Sequence, residues 1–235
     1  MSSLNNAPMN RLDNPIWEAL RTSLERFAEV NGTARRFPPE VTLLAGFAEP
    51  TREAFESLGR LQADGRPSVL FLHRAVEPPA RWKVIETDTL AQMVAERETR
   101  MPAAPDDMIE LGDSDIADMM ALAKLTKPGP FGLRTRELGT FLGVRREGRL
   151  AAMAGERLRL AGYAEVSAVC THPDFLGRGL AGALMAALMT RMRKKGETPI
   201  LHVRAGNLRA IELYTRLGFV ERRRFEFLVS VPLAK

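Results

Sequence analysis

The stretch Tyr163–Gly182 reads YAEVSAVCTHPDFLGRGLAG and decides the fold of this 235-residue chain. Its β-branched residues at 166, 169 and 171 predict a strand. Glycines follow at 177 and 179, and apolar residues at helical spacing begin with Leu180. A strand, a glycine-rich loop and a helix therefore follow one another, which indicates a chain that mixes strands with helices.

The loop of this stretch has the composition of a phosphate cradle. Gly177 and Gly179 let the backbone pass close to a ligand, because glycine has no side chain to obstruct it. The first amides of the helix that starts at Leu180 have no internal partner, and the helix dipole adds positive potential there. Arg178 would add a charge-assisted hydrogen bond. The stretch therefore predicts a site for a phosphate-bearing ligand.

Two ligand classes compete for this loop. Gly177-x-Gly179-x-x-Gly182 fits the dinucleotide fingerprint letter for letter. That fingerprint belongs at a tight turn directly after the strand, with an acidic residue about 20 positions later. Here four residues separate Thr171 from Leu176, and the later position holds His202. An NAD-type oxidoreductase is therefore the weaker interpretation.

The other ligand class is coenzyme A. Thr171–Ala181 resembles the coenzyme A loop of the GCN5-related N-acetyltransferase (GNAT) superfamily, whose pattern is Gln/Arg-x-x-Gly-x-Gly/Ala. Gly179 and Ala181 match this pattern, and Leu176 replaces its first polar residue. Glu165–Pro173 looks like the fourth strand of the family, especially of its FR47-like branch.

A second motif extends the resemblance. Leu201–Phe219 is similar to a later motif of the family, which has an asparagine before a helix and ends in Leu-Tyr-x-x-Leu-Gly-Phe. Asn207 and Leu213–Phe219 match it. Two motifs in the right order, about 30 residues apart, are more specific than either alone.

The resemblance implies a GNAT-type fold for residues 106–235, an α/β (α+β) domain with a mixed, mostly antiparallel sheet flanked by helices. Residues 1–105 form a separate α/β region in this prediction, since Pro102 and Pro105 interrupt regular structure at Met101–Asp107. Some tandem members of the family carry a degenerate second copy of the fold. Residues 1–105 are a candidate for such a copy, although no motif there supports it.

Hydrophobic patterning predicts the elements of this first region. Helices are expected at Pro15–Val30 and Thr51–Gln62. Strands are expected at Val41–Phe47, Val69–His73 and Trp82–Glu86.

The resemblance also assigns the cofactor, acetyl-CoA, and the residues that would hold it. The pantetheine arm would pair with the backbone of the strand, the pyrophosphate would lie on the glycine loop, and an asparagine would approach the arm from the later motif. The residues in these positions are Val169, Thr171, Gly177, Arg178, Gly179, Leu180, Ala181 and Asn207.

Three further residues are candidates for the chemistry. Glu165 is the candidate general base, since strand alternation predicts that it shares a face with Val169 and Thr171. Tyr214 is the candidate general acid for the departing sulfur, and Phe131 in the loop Lys127–Phe131 is a candidate contact for the acceptor. Each also has a structural interpretation: a strand-end carboxylate, a core tyrosine and a stiff proline-containing connection.

Charge and composition exclude several other functions. Residues 1–105 carry a net charge of −1 and residues 106–235 a net charge of +6. This suits an anionic ligand, but the low aromatic content and the absence of a zinc-finger or RNA-binding motif argue against nucleic acid. The single cysteine, Cys170, predicts no disulfide and a reducing, cytoplasmic compartment. No metal-ligand spacing, hydrolase elbow, membrane span or secretion signal in Met1–Arg11 is predicted.

The sequence thus favours an acetyl-CoA-dependent N-acetyltransferase, in which a primary amine attacks the thioester directly in a ternary complex. A non-catalytic acyl-CoA-binding or sensing module remains an alternative, because Leu176 departs from the family pattern. The acceptor, the acyl length and the oligomeric state are not encoded in these motifs.

Overall fold

The computed structural model describes residues 10–62 and 64–233, so most of the Met1–Arg11 prediction lies outside the described residues. The described chain forms strands and α-helices that alternate along much of its length. The strands are β1 (Glu29–Asn31), β2 (Ala34–Arg36), β3 (Ala45–Phe47), β4 (Ser68–Leu72), β5 (Trp82–Ala95), β6 (Met108–Glu110), β7 (Phe141–Arg146), β8 (Arg149–Leu160), β9 (Tyr163–Thr171), β10 (Thr198–Arg204) and β11 (Phe219–Pro232). The helices are α1 (Pro15–Arg21), α2 (Arg52–Leu61), α3 (Ile116–Thr126), α4 (Leu180–Lys194) and α5 (Leu208–Arg216).

Most strands belong to one mixed sheet. Its eight strands are ordered β4-β11-β5-β10-β9-β8-β7-β6, and β1, β2 and β3 form a smaller antiparallel sheet. Neighbours in the large sheet are antiparallel except β9 and β10. The predicted mixed, mostly antiparallel sheet flanked by helices is confirmed.

The two halves of the chain repeat one topology. In the second half, β7, β8 and β9 form an antiparallel meander, and α4 leads to β10, which runs parallel to β9. In the first half, β1, β2 and β3 form an antiparallel meander, and α2 leads to β4, which meets the chain before β3 at a parallel bridge between Leu44 and Val69. A long antiparallel strand, β5 or β11, ends each half.

The long strands of the two halves interleave in the large sheet. The strand β5 from the first half lies between β10 and β11 of the second, and β11 in turn lies between β4 and β5. Met101–Asp107 does fall between two elements, β5 and β6. Both halves nevertheless contribute strands to one sheet.

Three elements differ from the sequence prediction by more than one residue. The strand β3 covers Ala45–Phe47 rather than Val41–Phe47. The helix α1 ends at Arg21 rather than near Val30. At this end, the Thr22 hydroxyl donates a hydrogen bond to the Glu18 carbonyl at 2.7 Å. The strand β5 continues to Ala95 rather than ending at Glu86, because its last residues pair with both β10 and β11. Propensity within one segment carries no information about such distant partners.

Both faces of the large sheet are covered. Leu184, Leu188 and Met192 of α4 are fully buried against one face, while α1 and α3 lie on the other. The alternation of apolar and polar residues in α4 follows the helical period, so that its apolar side meets the sheet. No helix in the described ranges combines the length and apolar character that a bilayer-spanning segment needs.

Candidate functional site

A β-bulge interrupts β9 at Ala168. Gly155 of β8 lies opposite Ser167, but Met153, two residues earlier on β8, lies opposite Cys170, three residues later on β9. Ala168 takes up the extra residue with a φ of 51°, a left-handed conformation that alanine rarely adopts. The bulge reverses which side chains face each side of the sheet beyond this point.

The strands β9 and β10 separate next to the bulge. They pair in parallel from Tyr163 with Thr198 to Glu165 with Ile200, and no described strand pairs with that edge of β9 from residue 166 to 171. The backbone N–H and C=O groups on this edge are therefore available to a ligand. This opening between the strands is called the strand gap below.

The glycine loop lies directly after the strand gap. Gly177 and Gly179 have φ values of 76° and 74°, and beyond their immediate chain neighbours no heavy atom lies within 4 Å of the position that a Cβ would occupy on either residue. Gly179 is the N-cap of the 15-residue helix α4, and its helix start has no side-chain cap and no acidic residue in the first turn. The free amides at this end are thus unblocked, as the predicted phosphate cradle requires.

The side chains of this loop divide into exposed and buried. Leu176 and Arg178 are exposed, whereas Leu180 points into the core. The Arg178 guanidinium lies 5.1 Å from the Phe175 ring centroid, and the Asp174 carbonyl accepts a hydrogen bond from it at 3.5 Å. Leu180 can contribute only its backbone to a ligand, while Arg178 is free to contribute charge.

The second predicted motif lies around the start of α5. The Asn207 side chain caps this helix, since its Oδ1 accepts a hydrogen bond from the Ala210 amide at 3.2 Å. Tyr214 packs against the core beside Phe219, with ring centroids 6.2 Å apart. Burial raises the pKa of the Tyr214 hydroxyl to about 12, so that it remains protonated at neutral pH.

Glu165 lies on the face opposite to the predicted one. Alternation predicted that it shares a face with Val169 and Thr171, but the bulge at Ala168 reverses the order, and Glu165 lies on the side of Cys170 instead. The prediction of a shared face is therefore wrong, because one inserted residue shifts the two-residue period of a strand.

The Glu165 carboxylate is buried in an ion pair. It accepts hydrogen bonds from Nη2 and Nε of Arg157 at 2.6 and 2.9 Å, from the Leu158 amide at 3.2 Å, and lies 2.7 Å from Nδ1 of His202. Burial raises the pKa of this carboxyl, but Arg157 and His202 lower it by more, to about 2. A carboxylate that binds a proton this weakly has the properties of a structural group rather than of a general base near neutral pH.

A chain of polar side chains extends from Glu165 across the sheet. His202 Nε2 lies 3.0 Å from Nε2 of Gln92, whose Oε1 accepts a hydrogen bond from Arg222 at 3.0 Å. Arg222 in turn donates to Asp13 at 2.8 Å. This chain joins β9, β10, β5 and β11 to the segment before α1.

Phe131 lies beside the bulge. Its ring meets Phe141 edge-on at a centroid distance of 5.9 Å. The segment Pro128–Phe131 covers a small cavity whose other walls include Arg157, Ser167 and Ala168. The predicted acceptor contact and the bulge therefore share one cavity.

Sequence reasoning missed Arg157. It lies in β8 beside two other charged residues, Glu156 and Arg159, so the sequence pattern does not distinguish it from them. Its partner Glu165 lies eight residues later on the neighbouring strand. Cys170 is buried, and burial raises the pKa of its thiol to about 11, which makes it an unreactive core residue.

Comparison with known proteins supports the resemblance. The family model described as "FR47-like protein" matches residues 141–228. A mycothiol acetyltransferase from Corynebacterium aurimucosum is 45% identical over 58 residues, which are 24% of this chain and 19% of that enzyme. That match spans about a fifth of the relative's length.

Solved structures extend the likeness to the whole chain. A protein from Novosphingobium aromaticivorans, described as belonging to the GNAT family of acetyltransferases, is 37% identical with a TM-score of 0.88, over 96% of this chain and all of that one. A GCN5-related N-acetyltransferase from Kribbella flavida is 18% identical with a TM-score of 0.60, over 94% and 95% of the two chains, and shares the fold. The sheet with its strand gap, the glycine loop and these similarities place this chain in the GNAT family of acetyltransferases.

Proposed function

We propose that this protein is an acetyl-CoA-dependent N-acetyltransferase that acetylates a primary amine. The observation that carries the proposal is the strand gap, which opens directly onto the glycine loop and the free start of α4. A pantetheine arm needs unpaired backbone groups, and a pyrophosphate needs free helix amides and space. The open positions at Gly177 and Gly179 meet the second requirement.

Eight residues would hold the cofactor in this proposal. The backbone of Val169 and Thr171 would pair with the pantetheine arm, and Asn207 would approach it while still capping α5. The pyrophosphate would lie against the segment Gly177–Ala181, where Arg178 would add a charge. Bound acetyl-CoA would supply an activated thioester, which the amine attacks directly in a ternary complex.

Tyr214 is the proposed general acid. Its raised pKa keeps the hydroxyl protonated, and no described side chain or backbone group forms a hydrogen bond with it. A hydroxyl in this state can donate a proton to a departing thiolate sulfur. The role requires no change in the protonation of Tyr214 before the reaction.

The proposal assigns no side chain as general base. Glu165 was the candidate, but its carboxylate is occupied by Arg157 and His202. An amine that reaches the site in its neutral form loses its proton after attack, and solvent water can accept it. The pH dependence of turnover would then follow the basicity of the amine.

Residues 1–105 are proposed to be a degenerate copy of the same fold. The support is the repeated order of meander, helix, parallel strand and long strand in the two halves. The segment before α2, Ala48–Thr51, contains no glycine, and Glu53 lies in the first turn of that helix. This half therefore lacks a phosphate cradle. Because the sequence contains a single cysteine, a cytoplasmic location is also proposed.

An activity assay tests the main proposal. Purified protein is incubated with acetyl-CoA and a panel of primary amines, and the release of free thiol and the mass of the acetylated amine are measured. Calorimetric titration with acetyl-CoA and with NAD is done in parallel. Acetylation of at least one amine supports the proposal. Binding of acetyl-CoA without turnover of any amine would favour a sensing module, which the exposed Leu176 keeps as an alternative.

A further inference from the structure

Arg157 is a buried cation, and one of its three guanidinium nitrogens has no hydrogen-bond partner among the described residues. Its side chain is 8% exposed, and Nε and Nη2 are both occupied by the Glu165 carboxylate. No described residue accepts a hydrogen bond from its remaining nitrogen, Nη1. The side chain keeps a small exposed fraction, so Nη1 remains able to donate a hydrogen bond to a ligand or to water.

This nitrogen faces the cavity under the segment Pro128–Phe131. A Cβ placed on Gly129 would lie 4.0 Å from Nη1, so the backbone of this segment passes directly over the guanidinium. Arg157, Ser167 and Ala168 form the inner wall, and the exposed Gly129 forms part of the outer one. The cavity therefore lies just beneath the surface, between the loop and the bulge of β9.

The size of the cavity limits its occupant. Its volume of about 10 Å³ is close to the smallest space that holds one water molecule. One oxygen atom fits such a space, so the rest of any ligand would lie outside the cavity. The rings of Phe131 and the flanking prolines are apolar, while Ser167 and Thr135, which carry hydroxyl groups, also line the cavity.

The charge of the residues around the cavity favours a neutral oxygen over a carboxylate. Glu165 already neutralises Arg157 by a bidentate contact. A carboxylate ligand would bring a second buried negative charge to a single guanidinium, which is costly. A neutral carbonyl oxygen needs one donor and no counter-charge, and Nη1 offers that donor.

We propose that this cavity binds the carbonyl oxygen of an α-amino amide and that Arg157 Nη1 donates the hydrogen bond that selects this acceptor class. The inference rests on the proposed acetyltransferase function. Ala168 lines the cavity and is also the bulge residue next to the strand gap. An acceptor whose amine reacts at the strand gap and whose carbonyl enters the cavity must therefore hold the two groups only a few atoms apart. In an α-amino amide a single carbon separates them. Phe131 and Pro130 would contact the acceptor side chain.

The test compares three acceptors that differ at one group. Alaninamide carries the carbonyl, 3-methyl-2-butylamine replaces the amide by an apolar group of similar shape, and alanine carries a carboxylate. The kcat/KM ratio of alaninamide to 3-methyl-2-butylamine is measured for the wild type and for Arg157→Lys. Differences in amine basicity cancel when the two ratios are compared.

We expect alaninamide to be the best of the three acceptors and its advantage to fall at least tenfold in Arg157→Lys, which is about 1.4 kcal/mol. Lysine keeps a positive charge beside Glu165 but lacks the third nitrogen. A double variant, Arg157→Gln with Glu165→Gln, removes both charges together and should lose the same preference. Arg159→Lys is the matched control, because Arg159 pairs with Glu156 and Glu197 instead, and its ratio should equal that of the wild type.

Each contrary result has a defined meaning. An unchanged ratio in variants that unfold cooperatively and bind acetyl-CoA normally would overturn the role of Arg157. If both variants fail to fold, the affinities of the wild type for alaninamide and for 3-methyl-2-butylamine are measured by calorimetry in the presence of coenzyme A. Equal affinities would refute the inference. Acetylation of amines without preference for the amide refutes the inference alone. Absence of all acetylation, with acetyl-CoA bound, refutes the proposed function as well.

Discussion

The Glu165 carboxylate and the His202 imidazole lie 2.7 Å apart, from Oε1 to Nδ1, and both side chains are buried. Arg222 can only donate hydrogen bonds, so Oε1 of Gln92 accepts from it and Nε2 of Gln92 donates towards His202. His202 Nε2 is then an acceptor, and Nδ1 carries the proton that Glu165 accepts. The contact therefore joins β9 to β10 beside the end of their pairing.

The first prediction concerns Glu165 and stability. The pKa of this carboxyl is lower in the folded protein, about 2, than its usual value of 4.5. The ionised form therefore stabilises the fold fully above about pH 5, and the contribution is lost as the pH falls towards 2. Glu165→Gln should lower the free energy of unfolding by about 3 to 5 kcal/mol at pH 7, because it leaves Arg157 without its buried partner. Chemical denaturation from pH 7 to pH 3 measures both effects.

Glu212→Gln is the control for this substitution. Glu212 forms an exposed ion pair with Arg216 in α5, and such pairs contribute little. The free energy of unfolding of the Glu212→Gln variant should equal that of the wild type at every pH. A Glu165→Gln protein that keeps wild-type stability but loses more than a hundredfold in kcat would show that Glu165 acts as the base after all.

The second prediction concerns the glycine loop. Gly179→Val should weaken acetyl-CoA binding at least tenfold, about 1.4 kcal/mol, because valine resists the φ of 74° and its side chain would occupy the space for the pyrophosphate. Gly196→Val is the matched control: Gly196 has a φ of 75° in open space at the other end of α4. Calorimetry should show that the control binds normally. Equal affinity of both variants would exclude the loop as the cradle.

The third prediction concerns Tyr214. Tyr214→Phe keeps the ring beside Phe219 and removes the proposed proton donor. The hydroxyl acts mainly in the transition state, so kcat should fall about 10- to 1000-fold while acetyl-CoA affinity stays nearly constant. Since the pKa of Tyr214 is about 12, its ionisation should produce no loss of kcat below about pH 10.

Tyr163→Phe is the control, since the sequence contains two tyrosines and Tyr163 lies at the far end of β9 from the loop. It should leave kcat unchanged. If Tyr214→Phe retains wild-type turnover, the sulfur takes its proton from water, and Tyr214 is a core residue. If it loses affinity at constant kcat, the tyrosine binds the cofactor without donating a proton.

The fourth prediction is that each chain binds one acetyl-CoA. In the first half, the Thr51 hydroxyl caps α2 by accepting from the Ala54 amide, and Phe47 at the end of β3 packs against Phe55 of α2 at a centroid distance of 5.2 Å. Calorimetric titration should give a stoichiometry of one for the wild type. The Gly179→Val variant should show no second class of acetyl-CoA sites. Saturable binding of two acetyl-CoA molecules per wild-type chain would contradict the prediction.

The fifth prediction concerns the boundary at Met101–Asp107. A fragment of residues 106–235 lacks β5, the strand between β10 and β11, and with it the buried Leu90 and Val94. It should therefore show no cooperative thermal unfolding and no acetyl-CoA binding, whereas the full chain should show both. Addition of residues 1–105 as a separate chain should restore binding in part. A fragment that folds alone would show that the second half is an independent domain.

Much of the candidate site could be predicted because its signals are local. Gly179 begins a helix, Asn207 caps one, and the segment Leu213–Phe219 ends one, and each depends on neighbours within a turn or two. The order of these segments was enough to indicate the fold. The short strands β1 and β2 and the full length of β5 were missed, since their partners are distant in the chain.

By itself, the sequence determined the loop, the helix starts and the presence of two motifs that resemble those of the GNAT family, because these depend on glycine conformation and on hydrogen bonds between near neighbours. The tertiary structure alone decided the orientation and partners of Glu165. One bulge residue, Ala168, reversed the face of β9, and pairing with β8 brought Arg157 to the carboxylate. A two-residue period cannot reveal an inserted residue, and an ion pair between strands forms only when their register is set by the whole sheet.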